Sequence, residues 1–278
     1  MLKKNFLVCL LLIIPLSLVS FSPYLANESK NTKNNSADHE AIHLNCIYPT
    51  VKIQSVDGRV FGSGVIIKSK MIKEKQYLNI VLTCAHILLD DMNYTVMRGK
   101  YKNWSEFVGY DKPVMCEIYY KNNSKDFAVL LFMSEEELPT AELGMKENIY
   151  ISNDVFKVGC GGDSLPSPPR MDEGIITSIL NLGSEFKIIR TSAFTVPGDS
   201  GGPLYHDNKL IGLVRAIRIL NGRVLVYKIS FAVSTDIIPI LDKETNNALS
   251  FIYNDEYKPP VIPSYRLQFD RYERIIDL

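Results

Sequence analysis

The sequence predicts an all-β fold, and three observations support that prediction. From Tyr48 onward, short apolar runs rich in β-branched and aromatic residues recur along the chain. Residues typical of turns separate these runs, as they do in β-barrels and β-sandwiches. Between two of the later runs stands Asn221-Gly222, a dipeptide typical of a two-residue type I′ hairpin. We therefore expect a barrel or a sandwich.

The apolar runs fall into two halves. In the first half, the predicted strands are Val51–Ile53, Val60–Ile67, Leu78–Thr83, Val114–Tyr120 and Phe127–Phe132. In the second half, the predicted strands are Ile149–Ile151, Val155–Val158, Gly174–Leu180, Phe186–Ala193, Leu210–Leu220 and Val224–Val233. The join between the halves is predicted near Pro139–Glu147.

The composition is that of a globular protein. The 278 residues are 46% hydrophobic, 10% aromatic and 22% charged, which is ample for a hydrophobic core. The formal net charge is +0 at pH 7. Because binding to nucleic-acid phosphates generally needs a basic face, this balance predicts no nucleic-acid partner.

The N-terminus has the character of a targeting segment. Lys3 and Lys4 precede an apolar run from Phe6 to Phe21, which is the pattern of a secretory signal peptide. Extended to Leu25, the same segment is long enough for an uncleaved membrane anchor, so both alternatives stay open for residues 1–25. The chain is therefore expected to be exported, as a secreted or periplasmic protein or one attached to the membrane by this segment.

Three segments carry residues suited to nucleophilic chemistry. Ser200 lies in Pro197–Leu204, where flanking glycines leave its hydroxyl and the neighbouring N–H groups accessible. His86 closely follows a strand-like run that ends at Thr83, and Asp126 directly precedes another. A serine hydroxyl needs a base to take its proton and a third group to hold that base. Taken alone, the serine motif is typical of a surface turn, His86 of a structural histidine, and Asp126 of a strand edge or turn. The three together predict a catalytic triad.

These motifs resemble those of the trypsin-like (chymotrypsin-fold) serine peptidases, and within them the bacterial branch that includes the high-temperature-requirement proteases. The resemblance covers roughly Tyr48 to Leu241 and rests on Gly62–Ile67, Leu82–His86, Asp126–Leu130, Gly174–Ser178, Gly198–Pro203 and Ser230–Ser234. It implies two six-stranded antiparallel β-barrels with the active site between them. It also implies a short C-terminal helix, for which Thr235–Asp242 is the candidate.

The resemblance sets the expected domain boundaries. The peptidase domain is expected at 46–245, with one barrel at about 46–140 and the other at about 146–234. Residues 26–45 are expected to form a polar linker, because a segment rich in Asn, Ser and Lys buries too little apolar surface to order itself. The tail, 246–278, is too short for the PDZ domain usual in stress proteases, and its aromatic residues favour packing on the barrel.

The resemblance also implies a role for each residue of the triad. Ser200 attacks the scissile carbonyl, His86 accepts its proton and later donates it to the leaving amine, and Asp126 holds the imidazole. The backbone N–H groups of Gly198 and Ser200 form an oxyanion hole. This chemistry needs no metal or other cofactor, and its substrates are proteins or peptides. The alternative is a catalytically silent binding or scaffold protein that keeps the fold.

Substrate preference is expected to depend on the pocket beside the serine. The resemblance places Phe194 and Thr195 near the base of that pocket, and the strand residues Arg215, Ala216 and Ile217 alongside the substrate backbone. No acidic residue is expected at the bottom of this pocket, so cleavage after Lys or Arg is not favoured. Phe194 favours small or medium apolar residues, whereas Arg215 or its neighbour Arg218 would instead attract an acidic residue.

Asp199 departs from the pattern of the family's zymogens. There, the aspartate before the nucleophile pairs with a new N-terminal ammonium, but no matching cleavage sequence occurs near residues 40–60. Asp199 therefore needs another partner, which the sequence does not identify.

Four cysteines follow the N-terminal segment, and an oxidising compartment would allow them to pair. Cys46 and Cys116 are the first pair to test, because both lie in polar, turn-like surroundings. Cys84 and Cys160 are expected to be buried thiols. None of the cysteines or histidines has the spacing of a metal site.

Overall fold

The computed structural model describes residues 35–102, 106–144, 149–162, 167–182, 186–220 and 223–254. The predicted targeting segment 1–25, the dipeptide Asn221-Gly222 and the tail beyond residue 254 lie outside these ranges. The chain divides into two units, Met1–Ser36 and Ala37–Leu278, and the barrels and the candidate site belong to the second. Within the described ranges, no helix is long and apolar enough to cross a membrane.

The first sheet contains seven strands, six of which form the first barrel. They are β1 (Thr50–Ser55), β2 (Phe61–Lys73), β3 (Gln76–Thr83), β4 (Tyr94–Lys102), β5 (Glu106–Tyr110), β6 (Val114–Asn122) and β7 (Phe127–Ser134). Antiparallel pairing runs in the order β1-β2-β3-β7-β6-β4, and β1 also pairs with β4. Six strands therefore close into a ring, and the short β5 pairs with β4 outside it.

The apolar pattern does not predict β4 and β5. In β4 only Tyr94 and Val96 are buried, and the rest of the strand is polar or partly exposed. The strand forms because its backbone pairs with β1 on one side and β6 on the other. Those pairings join residues far apart in sequence, so no local run of apolar residues indicates the strand.

The second barrel is a closed ring of six strands. They are β8 (Asp154–Gly159), β9 (Arg170–Leu182), β10 (Phe186–Thr191), β11 (Pro203–His206), β12 (Lys209–Leu220) and β13 (Arg223–Ser234). Their order around the barrel is β10-β13-β12-β11-β8-β9. The predicted two-barrel architecture is confirmed.

One predicted strand of the second half is wrong. Residues 149–151 form no strand, and the side chains of Tyr150 and Ile151 are exposed. The backbone N–H of Tyr150 donates to Asn153 Oδ1 (2.6 Å), which holds the segment in a turn. A side chain that bonds a nearby backbone group offers the chain an alternative to the ladder of a sheet.

Three apolar clusters stabilise the molecule. One fills the first barrel and includes Val51, Ile66 and Leu130. Another fills the second barrel and includes Ile176 and Leu204. The third is the largest and contains buried side chains from both barrels, among them Leu82, Phe127, Leu213 and Val233. Because this cluster is shared, burial of apolar surface holds the two barrels against each other.

A short helix, α2 (Ile237–Glu244), follows β13, and the predicted C-terminal helix is confirmed. The chain then turns back through the 3₁₀ turn Ser250–Ile252, whose apolar side chains belong to the shared cluster. Asp242 holds this turn, since its carboxylate accepts hydrogen bonds from Leu249 N (2.7 Å) and Ser250 Oγ (2.6 Å). The first residues of the tail therefore pack on the barrels.

The N-terminal end of the described chain is helical. Helix α1 (Asn35–Ile42) and a π-helical turn, His43–Ile47, occupy much of the segment expected to be a linker. Ile42 and Ile47 pack against the shared cluster, and Cys46 is buried within it. These three side chains supply apolar surface that the polar residues before them lack.

Candidate active site

His86 and Asp126 meet at one edge of the first barrel. His86 lies in the 3₁₀ turn Ala85–Ile87 after β3, and Asp126 ends the turn between β6 and β7. His86 Nδ1 is 2.9 Å from each carboxylate oxygen of Asp126, and the His86 backbone N–H donates to Oδ1 (2.9 Å). A carboxylate at this position favours the tautomer with its proton on Nδ1, which leaves Nε2 free as a base.

The two side chains differ in their exposure to solvent. The Asp126 side chain is 5% exposed, whereas that of His86 is 45% exposed. The backbone of Asp126 has φ 53°, a left-handed conformation that aspartate tolerates better than most residues. The carboxylate is thus fixed beneath an imidazole that remains accessible from the cleft.

A second basic side chain contacts Asp126. Arg215 Nε lies 3.0 Å from Asp126 Oδ2, and its side chain is 34% exposed. Burial works to raise the pKa of Asp126, but the hydrogen bonds from His86 and the charges of His86 and Arg215 outweigh it and lower that pKa below its ordinary value. Asp126 is therefore ionised at neutral pH.

Ser200 lies in the loop between β10 and β11, and both barrels hold that loop. From the first barrel, Ser63 N–H donates to Ser200 O (2.8 Å) and Ser63 Oγ donates to Gly198 O (2.7 Å). From the second barrel, the carbonyl oxygen of Val214 accepts from Gly201 N (2.7 Å). Ser200 Oγ donates to the carbonyl oxygen of Arg215 (3.4 Å), and it makes no hydrogen bond to His86 in this structure. The loop is therefore fixed, while the hydroxyl itself makes only a long contact.

The glycines of this loop are required by its geometry. Gly198 has φ 94°, and a Cβ there would lie 2.5 Å from the ring of Phe61. Gly201 has φ 84°, and a Cβ there would lie 2.1 Å from Thr83 Oγ1. Among the described residues, no group accepts a hydrogen bond from the backbone N–H of Gly198 or Ser200. Two unengaged N–H groups beside a serine hydroxyl are what an oxyanion hole requires.

Asp199 has a buried basic partner, Lys157 of β8. Both side chains are 0% exposed, and Lys157 Nζ contacts Asp199 Oδ2 directly and Asp172 Oδ2 at 3.0 Å. The Asp199 carboxylate also accepts from Gly161 N (3.0 Å) and Val196 N (2.9 Å). The lysine thus supplies the positive charge that the sequence left unidentified.

Arg170 adds a longer contact to this network. Its Nη2 lies 3.4 Å from Asp199 Oδ2, and its Nε lies 2.7 Å from Asp172 Oδ2. A buried ion pair is stable only when its other hydrogen-bonding groups also have partners. Here Arg170 and the backbone N–H groups of Gly161 and Val196 supply those partners. The network fixes the turn immediately before Ser200.

The candidate substrate-binding residues are placed as follows. Thr195 is buried, and Phe194 is partly buried with the Arg170 guanidinium 5.1 Å from its ring centroid. Ala216 and Ile217 continue β12, where they pair with Phe231 and Ser230 of β13. The guanidinium of Arg215 contacts Asp126, a contact that the expected substrate-binding role does not include.

All four cysteines between residues 46 and 160 are free thiols. Cys46 belongs to the shared cluster, whereas Cys116 packs against the core of the first barrel, so the pair considered from sequence is not formed. Cys84 lies near His86 and Asp126, and its thiol donates to Val214 O (3.2 Å). Burial raises the pKa of Cys84 well above its ordinary range.

Cys84, His86 and Asp126 place three possible metal ligands within 4.8 Å of one another. Metal ions bind the thiolate form of cysteine, whereas the Cys84 thiol is held protonated by burial. The Arg215 cation beside Asp126 opposes a second positive charge. Both features disfavour a metal ion at this cluster.

The two barrels and the site define a class of protein. A sequence profile of the trypsin-like peptidase domain matches residues 62–213, which is more than half of the chain. The chain belongs to the trypsin-like peptidase domain family.

Two curated relatives have names that refer to proteolysis. Do-like 14 of Arabidopsis thaliana, named as a protease, is 27% identical over 165 residues, which are 56% of this chain and 35% of that protein. A DegP-like protein of Halomonas elongata, named as a periplasmic serine endoprotease, is 26% identical over 199 residues, which are 68% of this chain and 36% of that protein. The chain therefore spans about a third of the length of these relatives.

Two residues of the site have contacts that the sequence did not predict. No motif gives Lys157 a role, although a lysine inside the apolar strand Val155–Val158 is a signal that a buried negative charge lies nearby. The family resemblance points Arg215 only to substrate binding. No local signal points it toward Asp126, because the contact depends on how β12 is paired.

Proposed function

We propose that the protein is a serine endopeptidase that cleaves peptide bonds with the triad His86, Asp126 and Ser200. The observation that carries the proposal is the pair of hydrogen bonds from His86 to Asp126, made beside a serine whose loop leaves two N–H groups unengaged. Membership of the trypsin-like peptidase domain family supports protein or peptide substrates.

The reaction follows from these positions. His86 Nε2 takes the proton of Ser200 Oγ as that oxygen attacks the scissile carbonyl carbon, and the charge that develops on the carbonyl oxygen is met by the N–H groups of Gly198 and Ser200. The protonated imidazole is stabilised by Asp126 and gives its proton to the leaving amine. Water then releases the second product from the acyl-serine by the same steps. No metal or cofactor takes part.

In this structure Ser200 Oγ is directed to a carbonyl oxygen of β12 at 3.4 Å. Catalytic hydrogen bonds are often long or misaligned before substrate binds. A turn about the Cα–Cβ bond of Ser200 would move its hydroxyl without disturbing the loop, which is held through backbone atoms. The arrangement is therefore compatible with an enzyme awaiting its substrate.

For the residue before the cleaved bond, we propose a small or medium apolar side chain. The family resemblance puts Phe194 and Thr195 near the base of the pocket, and in the structure Thr195 is buried and Phe194 is partly buried. The Arg215 charge is already paired with Asp126, which weakens the case for an acidic residue in the pocket. A peptide-library digest tests this, and cleavage mainly after acidic or basic residues would contradict it.

We further propose that the protein acts outside the cytoplasm. The apolar segment at residues 6–21 behind two lysines supports export, and the name of the Halomonas elongata relative refers to the periplasm. Cell fractionation tests this by comparing the full chain with a variant that lacks residues 2–21. Retention of the full-length protein in the cytoplasm would contradict it.

Labelling with a fluorophosphonate probe tests the catalytic assignment. We expect the full chain to be labelled on one serine, and Ser200→Ala to abolish the labelling. Ser178→Ala, on β9, serves as a matched control and should label normally. His86→Ala should slow labelling by at least about a hundredfold, because general-base catalysis contributes roughly 10²–10⁴ in rate. Labelling that survives Ser200→Ala, or a folded wild-type protein that takes up no label, would support the silent scaffold instead.

A further inference from the structure

Arg215 shares the carboxylate of Asp126 with His86. Its Nε lies 3.0 Å from Asp126 Oδ2, and the same oxygen lies 2.9 Å from His86 Nδ1. Because a guanidinium is charged at every pH that a protein survives, this contact places a permanent cation beside the acidic member of the triad.

A β-bulge directs Arg215 to this position. In the pairing of β12 with β13, Val214 lies opposite Ala232 and Ala216 lies opposite Phe231, so Arg215 is an extra residue without a partner. A bulge of this kind re-aims the side chain of the extra residue and is frequent beside active sites.

Backbone hydrogen bonds join the residue before the bulge, Val214, to the loop that carries Ser200. Val214 N donates to Gly202 O (2.8 Å) and Val214 O accepts from Gly201 N (2.7 Å), while Arg215 O accepts from Ser200 Oγ. The backbone of Arg215 therefore contacts the nucleophile, and its side chain contacts the carboxylate. Its position relative to the triad is fixed by the same hydrogen bonds that position Ser200.

The other titratable groups around this pair carry little charge toward it. The Cys84 thiol lies within 4.8 Å of the Asp126 carboxylate, and burial raises the pKa of that thiol, which keeps it neutral. Lys125 precedes Asp126 in the chain, but its ammonium pairs with Glu244. Ser200 is uncharged. Among the described residues, Arg215 is thus the cation in direct contact with the Asp126 carboxylate.

We propose that Arg215 is a positioning residue that partly neutralises Asp126 and thereby extends the reaction of Ser200 to lower pH. This inference rests on the proposed function. A negative carboxylate stabilises the protonated imidazole, and a cation 3.0 Å from that carboxylate weakens the effect. The same shielding lowers the stabilisation of the imidazolium during the reaction, so the gain at acidic pH comes with a lower limiting rate.

The test compares charge-removing and charge-keeping variants. Fluorophosphonate labelling rates are measured from pH 4 to pH 9 for the wild type, Arg215→Gln, Arg215→Met and Arg215→Lys. Arg98→Gln is the matched control, because Arg98 is another partly buried arginine, paired with Asp111 and Glu136 on the first barrel.

We expect the acidic limb of the profile to move to higher pH by about one unit in Arg215→Gln and Arg215→Met. A neighbouring charge within about 4–6 Å shifts such equilibria by roughly 1–3 units, a like charge disfavours the charged form, and partial exposure of Arg215 favours the low end. On the acidic limb the labelling rate should therefore fall about tenfold, while on the alkaline plateau it should be higher. In Arg215→Lys and Arg98→Gln the midpoint of the acidic limb should stay at its wild-type pH.

A second measurement does not depend on turnover. In Ser200→Ala protein, the chemical shifts of the His86 ring are followed by NMR as a function of pH, with and without Arg215→Gln. The midpoint should again move to higher pH when the charge is removed. An unchanged midpoint, a movement to lower pH, or an Arg215→Lys profile that matches Arg215→Gln would each overturn the inference. If the wild type takes up no label but the NMR midpoint moves, the proposed function fails while the role of Arg215 stands.

Discussion

Replacing Lys157 by methionine tests how the loop of the nucleophile is held. The ammonium of Lys157 contacts Asp199 and Asp172, and both Lys157 and Asp199 have fully buried side chains. Without the ammonium, the Asp199 carboxylate keeps two backbone N–H donors and the longer contact to Arg170. Asp199, which directly precedes Ser200, then carries a buried negative charge without its nearest cation.

The expected magnitude follows from these contacts. Removing one partner of a buried ion pair typically costs about 3–5 kcal/mol of the free energy of unfolding. Because the remaining donors and Arg170 still compensate part of the charge, we expect a loss of about 2–4 kcal/mol for Lys157→Met. A carboxylate that moves toward solvent would also displace the N–H groups of Gly198 and Ser200. Loss of one such donor typically lowers the rate by about 10²–10³.

Urea unfolding and fluorophosphonate labelling measure the two effects. Lys157→Met, Asp199→Asn and the double variant form a cycle, and the double variant should be less destabilised than the sum of the single variants because it leaves no unpaired charge. Lys187→Met is the control, since Lys187 pairs with Asp236 at 3.3 Å with a side chain that is 43% exposed, and it should change stability by less than about 1 kcal/mol. A Lys157→Met protein with wild-type stability and labelling rate would refute the reasoning.

Three further predictions follow from the structure. Gly161→Ala should slow fluorophosphonate labelling, because the new Cβ would lie 2.5 Å from the Asp199 carboxylate; wild-type rates would show that the loop tolerates the displacement. Because the pKa of Asp126 is lower in the folded than in the unfolded protein, its ionised form stabilises the fold above the unfolded pKa, and this stabilisation is lost as the pH falls through the folded pKa. In urea unfolding from pH 6 to pH 3, Asp126→Asn should therefore lose less of its free energy of unfolding than the wild type, and an equal loss would contradict this. Burial raises the pKa of Cys46 and Cys160 to about 12, so both should resist alkylation at pH 8 until the protein is unfolded; rapid labelling of either in the native protein would contradict their burial.

The fold class was predictable because its signal is local and repeated. Apolar runs separated by turns indicate strands wherever one face of each strand is buried, and most of the predicted runs lie in observed strands. The two exceptions have different causes. β4 forms through pairing with strands distant in sequence, while the apolar residues at 149–151 are held in a turn by the side chain of Asn153.

The candidate site also has a part that the local sequence predicts and a part that it does not. The triad residues stand in motifs with their own local signatures, so the sequence alone nominated His86, Asp126 and Ser200. The structure places His86 and Asp126 in hydrogen-bond contact, with Ser200 on a loop held by both barrels. The catalytic assignment itself remains a prediction until labelling is measured.

The sequence by itself determined which residue types stand at the ends of which strands, and hence the architecture and the candidate nucleophile, base and carboxylate. Only the tertiary structure decided the partners of the two acidic residues in the site, Lys157 for Asp199 and Arg215 for Asp126. The physical reason is that a charge interacts through space with whatever folding brings near. Here the position of Lys157 on β8 and the β-bulge at Arg215 set those distances. The residues next to the two aspartates in the sequence indicate neither.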